Sequence, residues 1–533
     1  MDQFRDIAQS YDSTWKASLG FSGQSKEWQG NQITNAPQKT FFGNFSIKYL
    51  SRSRSSSSCS TDSTASTNSS HSSEVIAAPT HLGKEFRTAI ASKYGEAVAA
   101  AIDKQFSLSS ATQLSEKEIS KIIKAADSPT LVAKLNQNDW KTIEKTITSK
   151  DSGLQSDYYS TMVPTAEILS ASYKNDGVKG VCSRDYKNPN HSINAWSDTL
   201  KSADGRTLFA CVRSGVMAVL DPTKQESTFD ARLNENILTA LYTRNGKLPE
   251  KGNDEKNPIE LSLVDIGLLS CYSVGINEVD LQTAQFNLID AANGKKRAIS
   301  YIPPSSNQPI TIYVKPIIKA VNIGVNVGDS LSIPNANKTD STIRSILDEA
   351  TTLLENSNKT MSSTDRRVIQ ELYDQCKEMH AQKIYLTENE GDYCAFHARF
   401  ALLCFKMGYT PMFHCRSGSN RTARGIEETK FLTAELNDNI RKEFQGHSLH
   451  KNLVRYSGKL SAARQKTAAA FFVGLGTLEV QKVNSGDSGS LQHYLIAKRI
   501  PNETDAIKKY QGVYGSLLRT FKKLYGIFIV PPK

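Results

Sequence analysis

Apolar and polar residues recur with different periods in successive parts of this 533-residue chain. Residues 1–78 carry little periodicity. Ser51 to Ser73 is a Ser/Thr tract with too few apolar side chains to bury a core, so this region is expected to be a disordered arm ending in a flexible linker. Just before it, Phe45, Ile47 and Tyr49 alternate with polar residues as in a strand, which in such an arm needs a partner: the folded body or a chaperone. Residues 80–150 turn helical. His81 to Gln105 is Ala-rich, and Ser115 and Glu118 form a capping-box pair before Ile119, Ile122 and Ile123. Ser128-Pro129 starts a helix carrying Leu131, Val132 and Leu135. Asp139 is expected to cap another, carrying Trp140, Ile143 and Ile147.

From about 160 to 335 the period shortens. Ile259 to Val264 and Ile310 to Val314 read as strands, punctuated by Gly, Asn and Pro clusters such as Asn257-Pro258 and Pro303-Pro304, with a helix over Ala231 to Tyr242. Residues 340–385 and 391–408 are helical again, and Phe396, Phe400 and Leu403 share one face of the second helix. The chain ends in a basic amphipathic pattern, Ile507 to Lys533, which suits a helix packed on the body or laid on an anionic membrane. The pattern therefore predicts a multidomain α+β (or α/β) protein. Its parts are a disordered arm (1–78), a helical segment (80–150) and a mixed domain (160–533).

Composition narrows the choice of partner. With 38% hydrophobic and 22% charged residues the chain reads as globular, and its net charge of +11 favours acidic ligands such as lipid head groups or phosphorylated molecules. No zinc-finger spacing or aromatic-basic RNA motif accompanies that charge, so nucleic acid is not expected. Eight cysteines spread over this length do not make a disulfide framework and fit a reducing compartment. No apolar run is long enough to span a membrane, and the N-terminus lacks the design of a cleaved signal.

Candidate chemistry concentrates in one stretch. Tyr409 to Phe413 is a mostly apolar strand, His414 to Arg421 a short polar loop, and Thr422 to Leu436 a helix. Cys415 and Arg421 stand in Cys-x5-Arg spacing, which no other cysteine of the chain shares. A loop that leaves a strand and enters a helix start can aim its N–H groups at one anion, with the helix dipole in support. The same field lowers a thiol pKa, so Cys415 is the candidate nucleophile. Arg421 offers a planar fork for two phosphate oxygens. Gly418 allows a backbone conformation that a Cβ opposes. Thr422 is placed to hydrogen-bond the thiolate or leaving group. The competing reading is a buried cysteine before an ordinary solvent-facing loop.

This loop, the helix before it and the stretch Leu478-Glu479-Val480-Gln481-Lys482-Val483-Asn484-Ser485-Gly486 together resemble the SopB/IpgD family, phosphoinositide phosphatases that bacterial pathogens deliver into host cells by type III secretion. The resemblance is clearest from about Gly391 to Ser490. It implies a virulence effector, secreted into host cytoplasm and acting at host membranes, that removes phosphate from inositol phospholipids or inositol phosphates through a phosphocysteine, with no metal or cofactor. It implies the nucleophile at Cys415 and the phosphate-binding arginine at Arg421, with Ser417, Gly418 and Thr422 matching the family loop directly; the expected catalytic set is Cys415, Arg421 and Thr422, and the expected substrate contacts are His414, Arg416, Ser417, Gly418, Ser419, Asn420 and Arg424. It also implies a secretion chaperone on the N-terminal arm and, by position only, a Rho-family GTPase on the helical segment. The family loop reads Cys-Lys-Ser-Gly-Lys-Asp-Arg-Thr-Gly. Here Arg416 keeps a charge, but Ser419-Asn420 replaces Lys-Asp, losing a cation and a carboxyl that could protonate the leaving oxygen. Asp392 is the substitute candidate for that acid, and Arg424 for the lost cation. The departures leave two alternatives: an impaired effector that binds a host GTPase or ubiquitin, or a protein tyrosine phosphatase.

Overall fold

The computed structural model describes residues 129–269, 278–304, 306, 308–324, 336–356, 361–383, 394–444, 460–486 and 493–510, with isolated positions between 87 and 103. The expected arm, the Ser115 capping box, the tail beyond residue 510 and Asp392 lie outside the described residues.

Eight strands form one mixed sheet: β1 (Ile143–Ile147), β2 (Tyr158–Pro164), β3 (Trp196–Ser202), β4 (Thr207–Gly215), β5 (Ile259–Gly267), β6 (Arg297–Tyr301), β7 (Ile310–Asn322) and β8 (Thr410–Cys415). Their spatial order is β1-β2-β3-β4-β8-β5-β7-β6. The four central strands, β4, β8, β5 and β7, run parallel, and both flanks are antiparallel. Parallel strands need covered faces, and β8 is accordingly buried at every position.

Two helical layers supply the cover. On one side, α1 (Gln225–Asn245) sends Phe229, Leu233 and Ile237, and α2 (Glu278–Ala292) sends Phe286 and Ile289, against Val212, Leu263 and Met412. On the other, α3 (Ala336–Asn356), α4 (Ser363–Ala381), α5 (Ala395–Lys406), α6 (Asn420–Phe444) and α7 (Ala462–Gly474) pack a larger core around Val264, Ile266, Phe413 and Phe431. The period-2 pleat makes this possible: Leu261 and Leu263 of β5 face the first layer, Val264 and Ile266 the second. The architecture is α+β, as the hydrophobic pattern predicts, and the strands expected at 259–264 and 310–314 are the starts of β5 and β7.

One expected element is corrected. Asp139 does not cap a helix through Ile147. Residues Ile143–Ile147 form edge strand β1, paired antiparallel with β2 from Ile143↔Met162 to Ile147↔Tyr158. Five residues with three β-branched side chains gain more from a sheet edge than from a helix too short to propagate. Trp140 packs beside Trp196, ring centroids 5.6 Å apart, and guides the chain into that edge. The helix expected after Ser128 is present, over Pro129–Asn136.

Candidate active site

The Cys-x5-Arg loop lies at the carboxyl end of β8, between the ends of β4 and β5, where ligands bind in sheets of parallel strands. Register places Cys415 beside Gly215 of β4, and His414 beside Ser214 of β4 and Gly267 of β5. Helix α6 begins at Asn420, two residues earlier than the sequence suggests, so Arg421 and Thr422 stand in its first turn.

The loop is braced from all sides. Val216 N–H donates to Cys415 O at 3.0 Å, and Gly418 N–H donates to the same oxygen at 3.2 Å. Gly418 takes φ +61, and a Cβ on it would lie 2.5 Å from the Ser214 carbonyl carbon and 2.6 Å from Gly215 N. Both the dihedral and the contact with β4 require glycine. Arg213 of β4, fully buried, donates Nε to Gly418 O and Nη2 to Ser419 O, each at 3.0 Å. Asn194 Nδ2 adds a bond to Gly418 O at 2.9 Å. From a further helix, α8 (Thr477–Ser485), Gln481 Oε1 accepts from Ser419 Oγ at 2.8 Å. Asn484 of the same helix accepts from Ser183 N–H at 2.7 Å, tying the 183–194 segment to this assembly.

Cys415 is buried. Burial pushes its thiol up, yet Arg421, the hydroxyl and N–H of Thr422 and the N–H of Ser417 outweigh it, and the thiol sits below its ordinary value. The contrast with other cysteines is instructive. Burial is the main cause that pushes Cys182 and Cys376 up to about 12 and Cys211 and Cys404 well above the ordinary value. A lowered thiol under equal burial requires positive potential aimed at the sulfur.

Arg421 is held in a fork by Glu278, Nη1 to Oε2 at 2.7 Å and Nη2 to Oε1 at 2.5 Å, while Nη1 also donates to Leu268 O at 2.8 Å. Glu278 opens α2, and Leu268 follows β5, so two separate elements aim one guanidinium. Arg416 is buried with its guanidinium 5.2 Å from the Tyr186 ring centre, and its Nη1 has no hydrogen-bond partner among the described residues.

Other expected site residues lie elsewhere. His414 is turned to the opposite face of the sheet from Cys415, because neighbours on a strand alternate. Its Nε2 lies 2.9 Å from Asp265 Oδ2 and 2.7 Å from Gln285 Nε2, so the ring belongs to the α2 layer. Arg424, the candidate for the lost cation, is buried on α6. It pairs with Glu428 one turn on, its guanidinium stacks 4.2 Å from the Phe472 ring centre, and Glu428 also takes Arg499 Nε at 3.0 Å. Ser417, Gly418 and Thr422 fall within the loop and first turn as expected, and the Ser419 hydroxyl is engaged by α8. Sequence reasoning missed Arg213, Asn194 and Glu278, which reach the loop from 143 to 224 residues away.

A lowered thiol beneath a glycine-dependent strand–loop–helix turn, with an aimed arginine six residues on, has the form of a Cys-x5-Arg loop. The model of the family described as enterobacterial virulence protein IpgD matches residues 92–504, and the chain belongs to that family. Relatives include the inositol phosphate phosphatase SopB of Salmonella bongori, 25% identical over 73% of this chain and 93% of the relative. The inositol phosphate phosphatase IpgD of Shigella flexneri is 24% identical over 69% and 68%. A solved Legionella phosphoinositide phosphatase is 11% identical, covering 77% of this chain and 86% of its own, with a TM-score of 0.49.

Proposed function

We propose that this chain is a cysteine-dependent phosphatase acting on phosphorylated inositols, in lipid or soluble form, at the membranes of a host cell. The observation that carries the reading is the lowered, buried Cys415 thiol beside Arg421. The family relatives, named as inositol phosphate phosphatases, supply the substrate class.

The thiolate of Cys415 attacks phosphorus, an S–P bond forms and the P–O bond to the inositol oxygen breaks. The loop N–H groups and Arg421 stabilise the equatorial oxygens, and the leaving oxygen takes a proton from an acid for which Asp392 remains the candidate. Water then attacks phosphorus, the S–P bond breaks, and orthophosphate leaves with the thiolate restored. Thr422 supports the thiolate in both halves. Asn420 cannot donate the proton that an aspartic acid would, and general-acid help is worth roughly 10²–10⁴-fold. A measurable but modest turnover follows unless Asp392 serves. Phosphate release from a panel of phosphoinositides, soluble inositol phosphates and phosphotyrosine peptides tests the assignment. Preference for inositol substrates is expected. Preference for phosphotyrosine, or no release by folded protein, would reject it.

A further inference from the structure

Arg213 is a costly residue to place where it is. It sits in a central strand, 1% exposed, and forms no salt bridge among the described residues. Burial pulls its pKa down, opposed by the more distant charges of Asp198, Glu427 and Cys415. A buried ion used only for packing is readily replaced by an apolar side chain of similar volume. Arg213 instead spends its donors on two consecutive carbonyls of one loop, Gly418 O and Ser419 O, and Asn194 Nδ2 doubles the bond to the first.

The consequence follows from peptide geometry. A trans peptide directs its C=O and the following N–H to opposite sides. Gly418 O is held by Arg213 and Asn194, and Ser419 O by Arg213 and by Ala423 N–H at 3.1 Å, which sends the N–H groups of Ser419 and Asn420 to the other side of the loop, with the Gly418 peptide depending on the side chains alone. At the start of the loop, the Cys415 carbonyl is fixed on Val216 N–H, which directs the Arg416 N–H oppositely. The next N–H, of Ser417, acts on the Cys415 thiol. Gly418 makes such fixing necessary. Its φ of +61 needs a residue without Cβ, and the same permissiveness lowers the resistance of its peptides to flipping. A flipped peptide would present a carbonyl oxygen to an anion.

We infer that Arg213, assisted by Asn194, is a positioning residue that holds the Gly418 and Ser419 peptides with their N–H groups toward the bound phosphate. The inference rests on the phosphatase reading for its effect on turnover, but its effect on anion binding can be read without turnover. Arg213 touches no reacting atom. It acts through the backbone of the loop, and its spacing from Cys415 in sequence gives no hint of it.

The test uses the full chain with Arg213→Gln, Arg213→Lys and Asn194→Gly, each checked for folding by circular dichroism. Asn194 has φ +46, so glycine at that position keeps the backbone while removing the amide. Three readouts are taken: the pH dependence of Cys415 alkylation by iodoacetamide, followed on the Cys415 peptide by mass spectrometry; protection of that alkylation by inorganic phosphate; and kcat and KM on a soluble inositol phosphate. Arg213→Gln is expected to lose phosphate protection, to move half-alkylation to higher pH, and to lower kcat by roughly tenfold to a hundredfold, less than or comparable to loss of a direct anion-hole donor. Arg213→Lys, which keeps the charge but not the fork, recovers the alkylation pH more fully than phosphate protection. Asn194→Gly shows a smaller loss in the same direction.

Folded Arg213→Gln with unchanged phosphate protection and kcat would overturn the inference. Should that variant not fold, unchanged protection in both Arg213→Lys and Asn194→Gly would overturn it equally. If the wild type releases no phosphate from any inositol, the phosphatase reading fails, while protection by phosphate that the variants lose sustains the positioning role. Absence of protection in the wild type rejects the positioning role, while the phosphatase reading stands or falls on the release assay.

Discussion

Gly418→Ala separates the geometry of the loop from the stability of the fold. The new Cβ would stand 2.5 Å from the Ser214 carbonyl carbon and 2.6 Å from Gly215 N. Ordinary carbon contact is about 3.5 Å, so the two backbones must part by about 1 Å. β4 cannot supply that shift cheaply, because Ser214 and Gly215 are registered against His414 and Cys415 in the middle of the sheet. The loop must move instead. An alanine at φ +61 costs about 1–2 kcal/mol, and overpacking adds about 1–3 kcal/mol. Against a typical folding free energy of about 5–15 kcal/mol the variant remains folded. Its activity is another matter, since a misplacement of about 1 Å in a reacting array costs on the order of a hundredfold. Denaturant titration and initial rates of phosphate release check both numbers. A folded Gly418→Ala enzyme with near wild-type kcat/KM would refute the claim that this backbone is the anion cradle.

Glu278→Gln keeps one acceptor for Arg421 but removes the charged fork; kcat/KM is expected to fall roughly tenfold, as for loss of about one charged hydrogen bond, and an unchanged rate would show that Arg421 needs no such aiming. Glu427, buried on α6 against Tyr510, has its carboxyl raised to about 7 by burial, with Arg424, Tyr510, Thr477 and Arg213 opposing. Its folded pKa lies above the unfolded one, so the folded state binds the extra proton and stability falls as pH rises from about 4.5 to about 7, by roughly 3 kcal/mol in all. Denaturant midpoints at pH 5 and pH 8 should differ less in Glu427→Gln than in wild type; an equal difference would remove Glu427 from the account.

The strand, loop and helix around Cys415 were legible in the sequence because each is local: an apolar run, a glycine and a polar helix start. Strands β5 and β7 were legible for the same reason, through period and punctuation. What escaped depends on distant packing. β1 reads equally well as a short helix until β2 is present to pair with it. His414 looks like a substrate contact beside Cys415, but the pleat sends it to Asp265 on the other side of the sheet. Arg424 looks like a spare cation, but one helical turn brings Glu428 beneath it. The residues that brace the loop, Arg213, Asn194 and Glu278, come from elements that only the sheet order brings together. The stretch Leu478 to Gly486 stood out as a family pattern, and its role emerges from Gln481 and Asn484, which tie the altered Ser419-Asn420 pair and the 183–194 segment to one helix.

The central claim is that the Cys415 thiolate attacks phosphorus, and single-turnover kinetics with a labelled inositol phosphate tests it most directly. Wild type is quenched at short times beside Cys415→Ser, and the peptide containing residue 415 is analysed for a phosphoryl group. The account predicts a transient phosphoryl label on Cys415 and no turnover in Cys415→Ser. Phosphate release that persists in Cys415→Ser would contradict it.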